Sequence, residues 1–175
     1  NKRSLTLNLK TQAGLDILHR LIKECDVFLT NQPLAQRRAF KLQYDDIKSL
    51  NDKMIYASLT PYGEHGPDSD NEAFDLVAYW NRSGLMNRIL EPGAEPRQAV
   101  AGMGDHPTAV SMYAAIVTAL FQREKTGKGT MVHTSLLANG VWAASCLVQA
   151  QMAHADFSAM PPQMGASALY ECSDG

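Results

Sequence analysis

Cysteine is scarce: Cys25, Cys146 and Cys172 are the whole set in 175 residues, far apart and in no CxxC pair. A sparse, odd set excludes a disulfide framework and points to reduced thiols in a cytoplasmic setting. Cys25 and Cys146 sit among apolar neighbours and read as core residues. The five histidines (His19, His65, His106, His133, His154) lack zinc-ligand spacing, so no metal site is expected. No hydrophobic run approaches the length of a membrane span, and Asn1-Lys2-Arg3-Ser4 does not read as a signal peptide. An excess of one charge is also lacking. Sixteen basic against eighteen acidic residues leave a formal charge of -2, which makes no case for nucleic acid or membrane as a partner. The basic clusters (Lys2 with Arg3, Arg37 with Arg38, Lys125 with Lys128) read as solvated loop and helix-end charge.

Several catalytic signatures are missing too. Thr126-Gly127-Lys128-Gly129-Thr130 invites comparison with a phosphate loop, but the position five before Gly127 holds Gln122, and Gly129 follows the lysine. The stretch ends a helix and precedes a strand, the reverse of a P-loop, and it reads as a helix stop. No GxGxxG, HExxH or GxSxG occurs.

What is present is an ordinary globular composition, 45% hydrophobic and 19% charged, in a chain long enough for one domain. Leu5, Leu7 and Leu9 alternate within 2–10 and predict a strand. Thr11 offers an N-cap, and Leu15, Leu18, Leu21 and Ile22 predict a helix through about Glu24. The run 26–30 predicts a second strand, completing a βαβ unit and hence a parallel sheet. Asn31-Gln32-Pro33 ends that strand; 44–50 predicts a short helix and 54–59 a third strand. A polar loop covers 61–71, and 73–90 reads as helix interrupted near Ser83-Gly84. The loop 91–105 carries a possible extended piece at 99–103. Pro107 fits the first turn of a long helix that runs to about Lys125 and stops at Gly127. A strand at 131–135, a helix over 136–152 and an irregular 155–165 complete the pass. The expected fold is α/β: a single domain, 1–175, with a parallel Rossmann-like sheet flanked by helices. Ligands in such sheets sit at the strand carboxyl ends, which directs attention to the loops there.

On those loops the triplet Asp105-His106-Pro107 stands out, a carboxylate where a loop opens a long helix. A helix N-terminus favours an ionised carboxylate, and the residues alone allow either a helix cap or a catalytic group.

The blocks KRSLTLNLKT, DVFLTN, IYASLTPYGEHGP, AFDLVAYWNRSGLM, GMGDHPTAVSMYAAIVTAL and KTGKGTMVHTSLL, in this order and spacing, resemble the family III CoA-transferases (CaiB/BaiF), a group that includes formyl-CoA transferase, carnitine CoA-transferase and alpha-methylacyl-CoA racemase. Members are roughly twice this length or more, so the resemblance implies a partial large domain. The N-terminal strand and loop, the smaller domain and the C-terminal return would then lie outside this chain. It also implies an interlocked homodimer, coenzyme A thioesters and small carboxylic acids as substrates, and Asp105 as the residue that takes up the acyl group. CoA contacts carried over by position are Leu7, Lys10, Asn31, Gln32, Phe74 and Asp75. Gln32 stands where a Phe is common, Phe74 where a Tyr is common, and Ala39 where the family has a phosphate-binding Arg; Arg38 is the expected substitute. Racemases of the group use a His at the position of Phe74, so the resemblance favours transfer over racemisation. A weakly active or inactive homologue serving as a partner subunit is the other alternative.

Overall fold

The computed structural model describes residues 2–90, 93–155 and 172–173, and the chain divides into two compact units, Asn1–Ala144 and Ser145–Gly175. In the first unit the order is α1 (Gln12–Glu24), β1 (Val27–Thr30), α2 (Leu34–Ala39), α3 (Tyr44–Ile47) with a 3-10 turn at Lys48–Leu50, and β2 (Ile55–Thr60). A π-helical turn (Leu76–Asn81), α4 (Leu85–Arg88), α5 (Asp105–Thr126), β3 (Met131–Ser135) and α6 (Leu136–Ala143) follow. The described part of the second unit is α7 (Ser145–Met152) and a few flanking residues.

The three strands form one parallel sheet in the order β1-β2-β3, with Thr30 opposite Ser58 and Thr60 opposite Ser135. β2 lies in the middle and is buried along nearly its whole length, which is why 54–59 reads as continuous apolar sequence rather than as an alternation. One core cluster gathers Ile22 of α1, Leu42, Ile47, Met54 and Tyr56 beneath this sheet. The Tyr56 ring meets Phe28 at 5.5 Å and Tyr44 edge-on at 5.7 Å, separations typical of favourable aromatic pairs.

Several local expectations hold for the reasons that suggested them. Thr11 caps α1, its hydroxyl accepting from Gly14 N at 3.2 Å, and Gly127 closes α5 at φ 71°, a left-handed conformation that glycine adopts without a Cβ clash. The interruption after the π-helical turn falls at Gly84, φ 85°.

Others do not. Residues 2–8 form no strand, and Leu5 is exposed; alternation marks a capacity to pair, and no described strand lies alongside to pair with it. Residues 101–104 are a turn, not an extended piece. The segment at 73–90 begins its helix only at Leu76 and winds as a π-helix. The helix expected over 136–152 is broken at Ala144, φ -95° and ψ 11°. Sequence reading also passed over α2, whose Leu34 and Arg37 are its two buried residues. Cys146 is exposed rather than core, whereas Cys25 packs against the main cluster, where burial pushes its thiol pKa up. The irregular connection expected at 155–165 lies, beyond Ala155, outside the described residues.

Arg37 is the largest correction to the charge reading. It is not solvated: its side chain is 1% exposed and donates to Glu64 Oε1 at 2.8 Å, Ser58 Oγ at 2.9 Å and the Tyr56 hydroxyl at 3.2 Å. Tyr56 passes the chain on, donating to Leu42 O at 2.9 Å. Despite the desolvation that opposes it, Tyr56 and Glu64 hold the guanidinium pKa above its ordinary value.

Candidate active site

The carboxyl ends of the three parallel strands open into a cavity of about 590 Å3, within the size range of small-molecule sites. Asn31 and Gln32 follow β1, Thr60 and Pro61 end β2, and Leu136 follows β3; Phe74, Val77 and Asp105 close the other side. Four of the expected site residues, Asn31, Gln32, Phe74 and Asp105, thus share one cavity although 74 positions separate the first from the last. Gln32 is held there by its backbone, its N–H donating to Thr30 Oγ1 at 3.1 Å. Phe74 is 85% exposed, an aromatic face offered to whatever occupies the cavity.

The remaining expected contacts lie elsewhere. Leu7 is half-buried and Lys10 exposed, and neither lines the cavity. Arg38 reaches its rim only through a partner: it pairs at 2.5 Å with Asp70, which does line it. The charged side chains on the wall are Asp70, Glu72 and Asp105, all acidic. A second cavity, of about 450 Å3, opens by the amino ends of β1 and β2. There Arg123 pairs with Asp26 at 3.0 Å and donates to Lys53 O at 3.2 Å, so that basic group is already engaged.

Asp105 is the first residue of α5, and the N-cap is Gly104. The capping alternative therefore fails: the Asp105 carboxylate takes no hydrogen bond from the helix end and remains available to the cavity. Its pKa is raised, not lowered as a helix N-terminus by itself would have it. Desolvation against the cavity wall is the largest cause, and the charge of Asp75 adds to it; His106 works in the opposite sense. The residue as a whole stays accessible, so water screens these effects.

Asp75 faces away from the cavity and into the protein, 5% exposed. Its Oδ2 accepts from Gly102 N at 2.9 Å and Gly104 N at 3.1 Å, and its Oδ1 from Leu76 N at 2.9 Å. The Gly102 and Gly104 amides beside Asp105 are thereby occupied. Gly104 is required for the approach: a Cβ there would lie 2.5 Å from Tyr79 Cβ and 3.0 Å from Asp75 Cβ. The following turn is locked by Thr108, fully buried, whose hydroxyl donates to Gly104 O at 2.7 Å. No grouping of three or more His, Cys, Asp or Glu able to hold a metal ion occurs among the described residues.

The family model for CoA-transferase family III matches residues 1–175. The chain belongs to CoA-transferase family III. Among curated members, it is 32% identical over its full length to (R)-2-hydroxy-4-methylpentanoate CoA-transferase of Clostridioides difficile, covering 44% of that protein. It is 35% identical over 86% of its length to cinnamoyl-CoA:phenyllactate CoA-transferase of Clostridium sporogenes, covering 36% of that protein. A CaiB/BaiF family structure from Brucella suis superposes with a TM-score of 0.80 at 29% identity, over 94% of this chain and 42% of that one. The chain therefore spans less than half the length of these family III relatives.

Proposed function

We propose that this sequence carries the nucleophile of a CoA-transferase that moves coenzyme A between carboxylic acids. The observation that carries the reading is Asp105: an accessible carboxylate, free of hydrogen bonds, at a loop–helix junction on the carboxyl edge of a parallel sheet, in one cavity with Asn31, Gln32 and Phe74. An Asp105 oxygen attacks the thioester carbonyl of an acyl-CoA; the C–S bond breaks and CoA leaves as thiolate, giving a mixed aspartyl anhydride. The thiolate then attacks the Asp105 carbonyl carbon, expelling the first carboxylate and leaving an aspartyl-CoA thioester. A second carboxylate attacks that thioester, and the released thiolate takes the new acyl group, restoring Asp105. An anhydride requires exclusion of water. Asn31 and Gln32 are assigned to the polar part of the CoA arm and Phe74 to the thioester end. Arg38 is assigned to the phosphates, on exchange of Asp70 for a phosphate oxygen. An interlocked homodimer and a cytoplasmic setting belong to the same reading.

The test is covalent. Full-length protein incubated with a panel of acyl-CoAs and quenched with hydroxylamine should carry the hydroxamate on Asp105, and Asp105→Asn should carry none. Absence of the adduct across the panel, from a protein that binds CoA, refutes the assignment.

A second reading, a homologue that binds weakly or not at all, draws on one observation: every charged group on the cavity wall is acidic and Arg38 is already paired. Micromolar CoA binding by calorimetry argues against it. Racemisation is disfavoured because Phe74 offers no second protonic group opposite Asp105; alpha-deuterium uptake from heavy water into a 2-methylacyl-CoA would reverse that judgement.

A further inference from the structure

We infer that Asp75 is a positioning residue, whose buried carboxylate pins the 102–104 turn and so sets where Asp105 stands. This deepens the transferase reading and rests on it. By family position Asp75 would be a CoA contact, but its two oxygens are spent on three backbone amides, one from its own element and two from the turn that presents the nucleophile.

Two segments 27 positions apart are clamped through one side chain. The turn has no regular partner of its own: its ties are this carboxylate, the Met103 N–H to Val100 O bond at 3.2 Å, the Thr108 hydroxyl to Gly104 O bond at 2.7 Å and the first backbone bonds of α5. Gly102 takes φ 86°, and Gly104 lies too close to Tyr79 for any side chain. Both glycines thus serve the same clamp. Without an acceptor, the Gly102 and Gly104 N–H groups would be buried or half-buried donors, and the Asp105 carboxylate is the nearest anion in sequence that could turn back to them. Asp75 satisfies them first and leaves the Asp105 oxygens free to face the cavity. After desolvation, the charge of this buried anion adds to the upward shift of the Asp105 pKa. The other charged groups around Asp105 are His106 on its own helix and Asp70 and Glu72 across the same cavity.

Asp75→Asn in the full-length protein tests this, because the amide keeps the shape but turns a donor toward at least one of the three N–H groups. The expected result is a kcat lower by about 100-fold, the scale of a misplaced reacting group, with KM for the acyl-CoA held within about threefold. The acid limb of kcat/KM should move to lower pH, since desolvation, the larger cause of the raised Asp105 pKa, remains but the Asp75 charge that adds to it is gone. A residue needed only for folding would lower the yield and leave KM, the limb and turnover per folded molecule alone. A folded Asp75→Asn enzyme with wild-type kcat, or with an unmoved limb, overturns the inference. Amide hydrogen exchange gives a readout that does not depend on catalysis and, in its wild-type arm, does not depend on the variant folding. Gly102 and Gly104 N–H should exchange slowly in the wild type and faster by about tenfold or more in Asp75→Asn. Free exchange of both in the wild type overturns the clamp. Slow exchange in a wild type that forms no adduct at Asp105 upholds the clamp and counts instead against the transferase reading.

Discussion

Replacing Arg37 with methionine removes a guanidinium that is 1% exposed and strips partners from Glu64, Ser58 and the Tyr56 hydroxyl together. The largest consequence falls on Glu64, whose side chain is 10% exposed and then has only Ser58 to answer its charge. Breaking a buried pair from one side costs about 3–5 kcal/mol, mostly the uncompensated charge. The pair itself need not stabilise, because each ion lost its water on burial and Arg37 Nε remains without a partner even now. Removing both ends, as Arg37→Met with Glu64→Leu, should therefore recover most of the loss. Urea unfolding of the full-length protein and its three variants, followed by tyrosine and tryptophan fluorescence, closes the double-mutant cycle. The single variants should each lose stability and the double variant should approach wild type. A double variant whose loss equals the sum of the singles would refute the argument, showing that the contacts stabilise independently and that the uncompensated charge is not the dominant cost.

Four further outcomes follow from the site. Gly104→Ala places a Cβ 2.5 Å from Tyr79 Cβ; it should cost about 1–3 kcal/mol as overpacking and lower the acylation rate by about 100-fold as Asp105 shifts, measured by thermal unfolding and single-turnover kinetics. Because desolvation and the Asp75 charge raise the Asp105 pKa, its ionised form is lost at a higher pH than that of an unperturbed aspartate, so the acid limb of kcat/KM should lie above the position an unperturbed aspartate would give. The same sign makes the charged form the less stable one in the folded state, its favourable contribution fading as pH rises; Asp105→Asn should then have a Tm at neutral pH no lower than wild type. Asp70→Asn frees Arg38, and since an exposed pair is worth about 0.2–1 kcal/mol, calorimetry should show CoA binding tighter by a factor of up to about five.

The elements that the sequence announced are those whose signals are local. Thr11 caps α1 because a hydroxyl reaches the third residue on; Gly127 stops α5 because a left-handed residue is needed at that point; 54–59 reads as a buried strand because both of its faces are covered. Order and spacing of the sequence blocks carried the family resemblance, and the rule that ligands meet a parallel sheet at its carboxyl edge located the cavity. What residues 2–8 would pair with was not legible, since pairing depends on a neighbour and not on alternation. Nor was the burial of Arg37: an Arg-Arg doublet looks the same whether one side chain turns in or both turn out, and only β2 with its Tyr56 and Ser58, together with Glu64 just beyond, decided which. Asp105 was marked by its own position at a loop–helix junction. That it is not the cap, that its pKa goes up, and that Asp75 holds the turn behind it are products of contacts between segments 27 to 30 residues apart. Local sequence chose the chemical type of the group at 105, a carboxylate; the packing of the π-helical turn against the 102–104 turn chose its surroundings.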